Sequence, residues 1–359
     1  MFRRGAVVLA LLVLVAGLSA LGPGAGRAAA VPVASNDTTY AAYGRVFPDP
    51  QGCLKGQAGA SPWAKGNVCA AQFLGFVETI AGLRYLAQRY PRYAELVNLH
   101  DLKGSVAEFA DLDMQSAGLP NPTLGRDRKD LYVFKVTDKQ SPVPVADRHR
   151  FAFSLSIHGI ERAGLEGGVR AAEDLVTWAA TAPNTKILEP TNSGPTAGDV
   201  LKGNVMYFVL SNPDGWRRGD ITNGGVYYQR YNGNGVDLNR EFPGTGFSNP
   251  VYSPFVEPEA RGFAAYLRRE KAQSTDKRFV GSLDLHGMLA RESFSLTLLS
   301  GTALDWETNA RVVGMSEAIY QDAVRRLGYS ELIADPADCP GKIPVFIVVA
   351  EGSLPMCPD

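Results

Sequence analysis

The sequence predicts an α/β fold: a single domain with a mixed, mostly parallel twisted sheet flanked by helices on both faces. Four largely apolar, strand-like runs carry this, namely Phe151–Ile157, Asn204–Leu210, Phe279–Leu285 and Lys342–Ala350. Runs without polar alternation suit strands covered on both sides, as in parallel sheets. Helix-periodic segments stand between them, about Leu165–Ala180, Glu257–Arg268 and Thr308–Leu327, and such alternation marks an α/β architecture. Finally, His158, Glu161, Asn212, His286 and Glu351 each fall just past the end of a run. In open α/β sheets ligands bind outside the carboxyl ends of the strands, so these polar groups are expected on one rim.

The elements follow in order along the 359 residues. Residues 1–30 read as a signal peptide: Arg3 and Arg4, an apolar run Ala6–Leu21, then Ala28-Ala29-Ala30. The mature chain is therefore expected to be secreted, with no later stretch long enough to span a membrane. Residues 31–75 are rich in Ala, Gly, Pro and Asn and are expected to form a loop-rich extension. The main folded domain is placed at 76–359. Gln72–Gln88 has apolar residues at helical spacing (Phe73, Phe76, Ile80, Leu83, Leu86), and Pro91 stops it. Leu96–Leu102 is expected as a short strand and Leu131–Val136 as another, rich in aromatic and β-branched residues. The helix after Glu161 buries Val169, Leu175, Val176 and Trp178. Pro258 opens the next helix at a favoured first-turn position.

Composition narrows the partners. The net charge is −1; without residues 1–30 there remain 33 basic and 37 acidic side chains, a net of −4. That balance gives no reason to expect nucleic acid or an anionic membrane as partner. The four cysteines form two local groups, Cys53 with Cys69 and Cys339 with Cys357. In an exported chain this favours disulfides, local pairing being the simplest of three connectivities. No C-x₂₋₄-C spacing suggests a zinc site among them.

The chemistry gathers at FAFSLSIHGIE, residues 151–161. An imidazole and a carboxylate three positions apart at a strand end can reach one metal ion. With His286, from SLDLHGM, they make two imidazoles and one carboxylate with a fourth position open, the ligand set of a catalytic zinc. Zinc acidifies water to a pKa near 7 and polarises a carbonyl as a Lewis acid. His100, before Asp101, and His149, between Arg148 and Arg150, read instead as solvated turn residues.

At this point SIHGIE, VLSNPDG, GVDLNREFP, VEPEARGF and SLDLHG, in this order and approximate spacing, resemble the zinc carboxypeptidases (peptidase M14, carboxypeptidase A-like), from about Phe76 to at least His286. The resemblance implies that fold, one zinc ion per chain, and His158, Glu161 and His286 as its ligands. It implies that Asp237 orients the first histidine by accepting its other ring N–H. Asn239 and Arg240 correspond to the pair that grips a free C-terminal carboxylate, for which a guanidinium fork is suited. Arg230, in YYQRYN, corresponds to the arginine that polarises the scissile carbonyl; Arg217 and Arg218 share its loop, and Arg230 stands closer to GVDLN. Asn212-Pro213-Asp214-Gly215 is expected to shape the pocket floor.

The likeness thins after His286. Family members carry a strand-end glutamate as general base, and Glu351, after PVFIVVA, has that local setting, but only 73 residues follow His286. The covering tyrosine is not recognisable, Tyr320 and Tyr329 reading as helix and turn residues. The end of the domain is expected to be rearranged or incomplete. The implied activity is an exported, monomeric zinc metallocarboxypeptidase acting on peptide and protein C-termini. Two alternatives share the motifs: a catalytically silent carboxypeptidase-like binding module, and a zinc amidohydrolase acting on cell-wall peptides.

Overall fold

The computed structural model describes residues 46–47, 74–159, 161–188, 193–216, 229–242 and 253–286, with the backbones of 296–300 and 346–350. In chain order these form α1 (Phe76–Arg89), β1 (Ala94–Asn98), α2 (Leu99–Leu102), β2 (Leu119–Asn121), β3 (Gly125–Asp127), β4 (Tyr132–Val136) and β5 (His149–Leu155). There follow α3 (Arg162–Thr181), β6 (Lys186–Leu188), β7 (Ser193–Thr196), α4 (Ala197–Gly203), β8 (Asn204–Leu210), α5 (Pro258–Ala272), β9 (Gly281–Leu285), β10 (Leu296–Ser300) and β11 (Phe346–Ala350).

The central sheet has the order β1-β4-β8-β5-β9. β5 pairs in parallel with β8 and β9, whereas β4 is antiparallel to both β1 and β8. Four of the five strands thus run one way and β4 alone opposes them. Leu155 stands opposite both Leu210 and Leu285. Three parallel strands therefore stop at one level, and whatever follows each of them lands on the same rim.

Both faces of the sheet are covered, which explains why β8 lacks polar alternation: all seven of its residues are buried. On one face Phe134, Phe151, Phe153, Met206 and Phe208 pack against α1, α3 and α4, with the rings of Phe153 and Phe208 stacked 4.9 Å apart. On the other, Val133, Val205 and Tyr207 meet Phe263 and Tyr266 of α5. Each fully buried large apolar side chain contributes about 1.5–3 kcal/mol. The upstream segment joins the first layer: Phe47 is fully buried, and the Glu173 carboxylate accepts from the backbone N–H groups of Val46 and Phe47 at 2.5 and 2.8 Å.

The sequence expectations need two local corrections. Leu96–Leu102 is not one strand: β1 ends at Asn98, whose side chain accepts from His100 N–H (2.9 Å) and caps the helical turn α2. That cap, a short-range side-chain bond, breaks a run that looked continuous. His149 opens β5 rather than sitting in a turn. The last expected strand is present as β11, paired in parallel with β10, a strand the sequence pattern did not single out. The signal peptide, the four cysteines and the expected helix Thr308–Leu327 lie outside the described residues. No helix among the described residues is long and apolar enough to cross a membrane.

Candidate metal centre

The site is made by a turn that the chain would not adopt unaided. Beyond β5, Ser156 takes φ 45°, a left-handed conformation costly for a residue with a Cβ. Four hydrogen bonds hold it there. Ser156 N–H donates to Leu285 O (3.0 Å), its Oγ donates to Glu161 O (2.5 Å) and accepts from Leu165 N–H (2.7 Å), and its carbonyl accepts from Trp216 Nε1–H (3.1 Å). The same serine thereby joins the ends of β5 and β9 and closes the loop that carries His158 and Glu161.

Glycines make the close approaches possible. A Cβ on Gly164, in the first turn of α3, would lie 1.8 Å from Leu285 O; one on Gly159 would lie 2.3 Å from Gly215 O. Asn212, fully buried, completes the frame. Its Nδ2 donates to Ile157 O (2.9 Å) and Arg230 O (3.2 Å), while its Oδ1 accepts from Gly215 N–H (2.8 Å). One amide thus ties the His158 strand end to the segment bearing Arg230.

Within this frame Glu161 stands between two imidazoles. Its Oε1 lies 2.8 Å from His158 Nδ1 and its Oε2 2.7 Å from His286 Nδ1. The two rings are 4.8 Å apart between centroids, inclined at 62°. The far nitrogens are also held: Asp237 Oδ1 is 2.8 Å from His158 Nε2, and Asp284 Oδ2 is 2.7 Å from His286 Nε2. His158 is buried, with 2% of its side chain exposed, whereas His286 has 32% exposed.

These contacts move the protonation equilibria together. Burial pushes the Glu161 carboxyl up, but the hydrogen bonds from His158 and His286 outweigh it and hold it at about 2. Burial would lower His286, yet Asp284 and Glu161 raise it to about 10. His158 is raised in the same way, against burial, by Asp237 and Glu161. Asp237 is held well below the ordinary carboxylate range, its burial outweighed by His158 and Arg230. Negative charge is thus concentrated where the imidazoles meet, and a cation can take the place of the shared protons.

The donor set fits a zinc ion. One ligand atom each from His158, Glu161 and His286 can be chosen so that all lie within 4.8 Å of one another, and two imidazoles with a carboxylate are chemistry that zinc accepts. Arg230 stands beside them, its Nε 3.0 Å from Asp237 Oδ2 and its Nη1 3.4 Å from Glu161 Oε1. Asp237 caps the 3₁₀ turn Leu238–Arg240, accepting from Asn239 N–H at 3.0 Å. Asn239 and Arg240 are therefore carried next to the carboxylate that holds His158, and both are half-buried. Glu351, Arg217 and Arg218 lie outside the described residues.

The sequence reading missed three contributors. Asp284 was not singled out, although its two-residue spacing from His286 was the available signal. Ser156 and Gly164 gave no signal, because both meet Leu285, more than a hundred positions away.

Residues 126–291 match the family described as zinc carboxypeptidase (peptidase M14). No curated protein matches the chain. Among solved structures, thrombin-activatable fibrinolysis inhibitor aligns at 17% identity over 71% of this chain and 55% of its own, TM-score 0.43. The carboxypeptidase A of Helicoverpa armigera aligns at 21% over 70% and 55%, TM-score 0.42. The bovine fibrinolysis inhibitor, in complex with tick carboxypeptidase inhibitor, aligns at 17% over 76% and 80%, TM-score 0.45. The chain spans about half the length of the first two.

Proposed function

We propose, from the match of residues 126–291 to the zinc carboxypeptidase family, that this chain is an exported zinc metallocarboxypeptidase that releases the C-terminal residue of peptides. The observation that carries it is the convergence of His158, Glu161 and His286, with Asp237 and Arg230 in direct hydrogen-bonded contact.

In this reading His158, Glu161 and His286 hold the zinc. When bound, zinc supplies a Lewis acid that acidifies water and polarises a carbonyl. The protein supplies the rest. Asn239 and Arg240 bind the terminal carboxylate of the substrate, the guanidinium as a two-pronged donor and the amide as a third. A chain continuing past that point would leave the fork unpaired, which restricts cleavage to the end. Arg230 donates to the carbonyl oxygen of the last peptide bond as negative charge develops there, a role typically worth 10²–10³ in rate. Glu351 takes a proton from the attacking water and returns it to the leaving amine, for a typical 10²–10⁴. Asp237 keeps the His158 ring oriented and, through the turn it caps, places Asn239 and Arg240.

The purified chain is expected to contain one zinc ion by elemental analysis and to hydrolyse a dansyl peptide with a free C-terminus. A chelator should abolish that activity and added zinc restore it. Cleavage of the C-terminally amidated peptide at an equal rate would refute the exopeptidase assignment. Stoichiometric zinc without turnover of any peptide would favour the silent binding module, and preferential turnover of muropeptides the cell-wall amidohydrolase.

A further inference from the structure

His158 and His286 occupy unequal surroundings. His158 is buried and enclosed by the Ser156 turn, the Asn212 frame and Asp237. His286 follows the last residue of β9 and is one-third exposed, so packing restrains its ring far less. A half-exposed imidazole that is to present Nδ1 needs something to exclude the flipped ring and the other tautomer.

Asp284 has the geometry for that. Its Oδ2 is 2.7 Å from His286 Nε2, which leaves Nδ1 directed at Glu161 Oε2. Exposure alternates along β9, and Asp284 stands at an outward position with 38% of its side chain exposed. It fills no part of the core, and its side chain is directed to the ring. Asp237 Oδ1 and His158 Nε2 make the same arrangement at 2.8 Å on the other side of Glu161. The two imidazoles are thus held between carboxylates in mirrored fashion.

We propose that Asp284 is a positioning residue for the metal centre: by accepting the Nε2–H of His286 it fixes the ring's orientation and tautomer, so that Nδ1 offers its lone pair to the cation. A carboxylate behind a ligating histidine also raises the basicity of the ligand nitrogen, and its loss commonly costs 10–100-fold in metal affinity. Because this pair is partly solvated, the loss belongs at the lower end. The inference rests on the zinc reading above.

The test is zinc affinity of the full chain by chelator competition, for wild type, Asp284→Ala, Asp284→Asn and Asp237→Ala, with long-range ¹H–¹⁵N spectra of the zinc-loaded proteins. Asp284→Ala is expected to loosen zinc about tenfold and to weaken or exchange-broaden the His286 Nε2–H signal. Asp284→Asn, whose amide oxygen still accepts, should lose less. The thermal midpoint of the metal-free chain should fall only slightly, since the pair with His286 is partly solvated. Zinc affinity and the His286 signal both unchanged in Asp284→Ala would overturn the positioning role while leaving the zinc reading standing. Wild-type protein that binds no zinc would overturn that reading, and this inference with it.

Discussion

In the proposed reading, Arg240 bears the difference between trimming an end and cutting a chain. A hydrogen bond to a charged partner is worth about 1.5–3 kcal/mol, so Arg240→Ala should lower kcat/KM on free-ended peptides about 10- to 100-fold. Arg240→Lys should fall between, because an ammonium keeps the charge without the fork. Steady-state kinetics on peptides with free and amidated ends would check both; equal losses on the two substrates would contradict a carboxylate grip. At this scale the site was legible where a residue type declares its chemistry at a strand end, as His158, Glu161 and His286 do. It was illegible where a residue works through contact alone. Asp284 reads as a solvated acid until its 2.7 Å approach to His286 is seen, and Ser156 reads as any strand-end serine.

Among the elements, the docking of α3 against the end of β9 brings Glu161 to His286. Gly164 is the point of contact, with no room for a methyl group against Leu285 O. Gly164→Ala should push the first turn of α3 off the strand, lower the thermal midpoint and weaken zinc binding together. Gly203, at the end of α4, has nothing within 4 Å of an added Cβ. Gly203→Ala should be neutral or stabilising by about 0.4–1 kcal/mol, since it narrows the unfolded ensemble at no steric cost. Thermal melts of both variants would test the pair, and a Gly164→Ala protein with unchanged midpoint and zinc affinity would count against this account of the packing. The elements themselves were largely readable. The run Asn204–Leu210 coincides with β8, because a strand buried on both faces leaves an uninterrupted apolar signal. The boundary at Asn98 was not readable, because it depends on one side chain turning back to His100 N–H.

For the molecule as a whole, a buried acidic pair contributes to the response to pH alongside the two histidines of the metal centre. Asp214 and Glu259 are almost wholly buried, in a network joining the loop after β8, the segment around Ser116 and α5. Asp214 accepts from Ser116 Oγ (2.7 Å) and the N–H groups of Gly118 and Gly233; Glu259 accepts from Ala117 N–H (2.9 Å). Burial, then the neighbouring Asp214 charge, pushes Glu259 up to about 7, from an ordinary value of 4.5. Between those values the folded chain keeps a proton that the unfolded chain releases, so this group's contribution is full below about 4.5 and is lost as pH rises through 7. Urea midpoints should therefore fall from pH 5 to pH 7.5 in this respect, and Glu259→Gln should flatten the slope; an unchanged slope would exclude the pair as its source. None of this was visible in VEPEARGF, where Glu259 looks like a surface residue in the first turn of a helix.

The reversed direction of β4 has a practical side. Its carboxyl end points to the rim opposite His158, so residues 137–148 emerge on the far side of the sheet. Gln140 lies exposed there. A cysteine-linked dye or a resin tether introduced at that position should leave the rim that carries His158 clear, giving an anchoring point for immobilised assays.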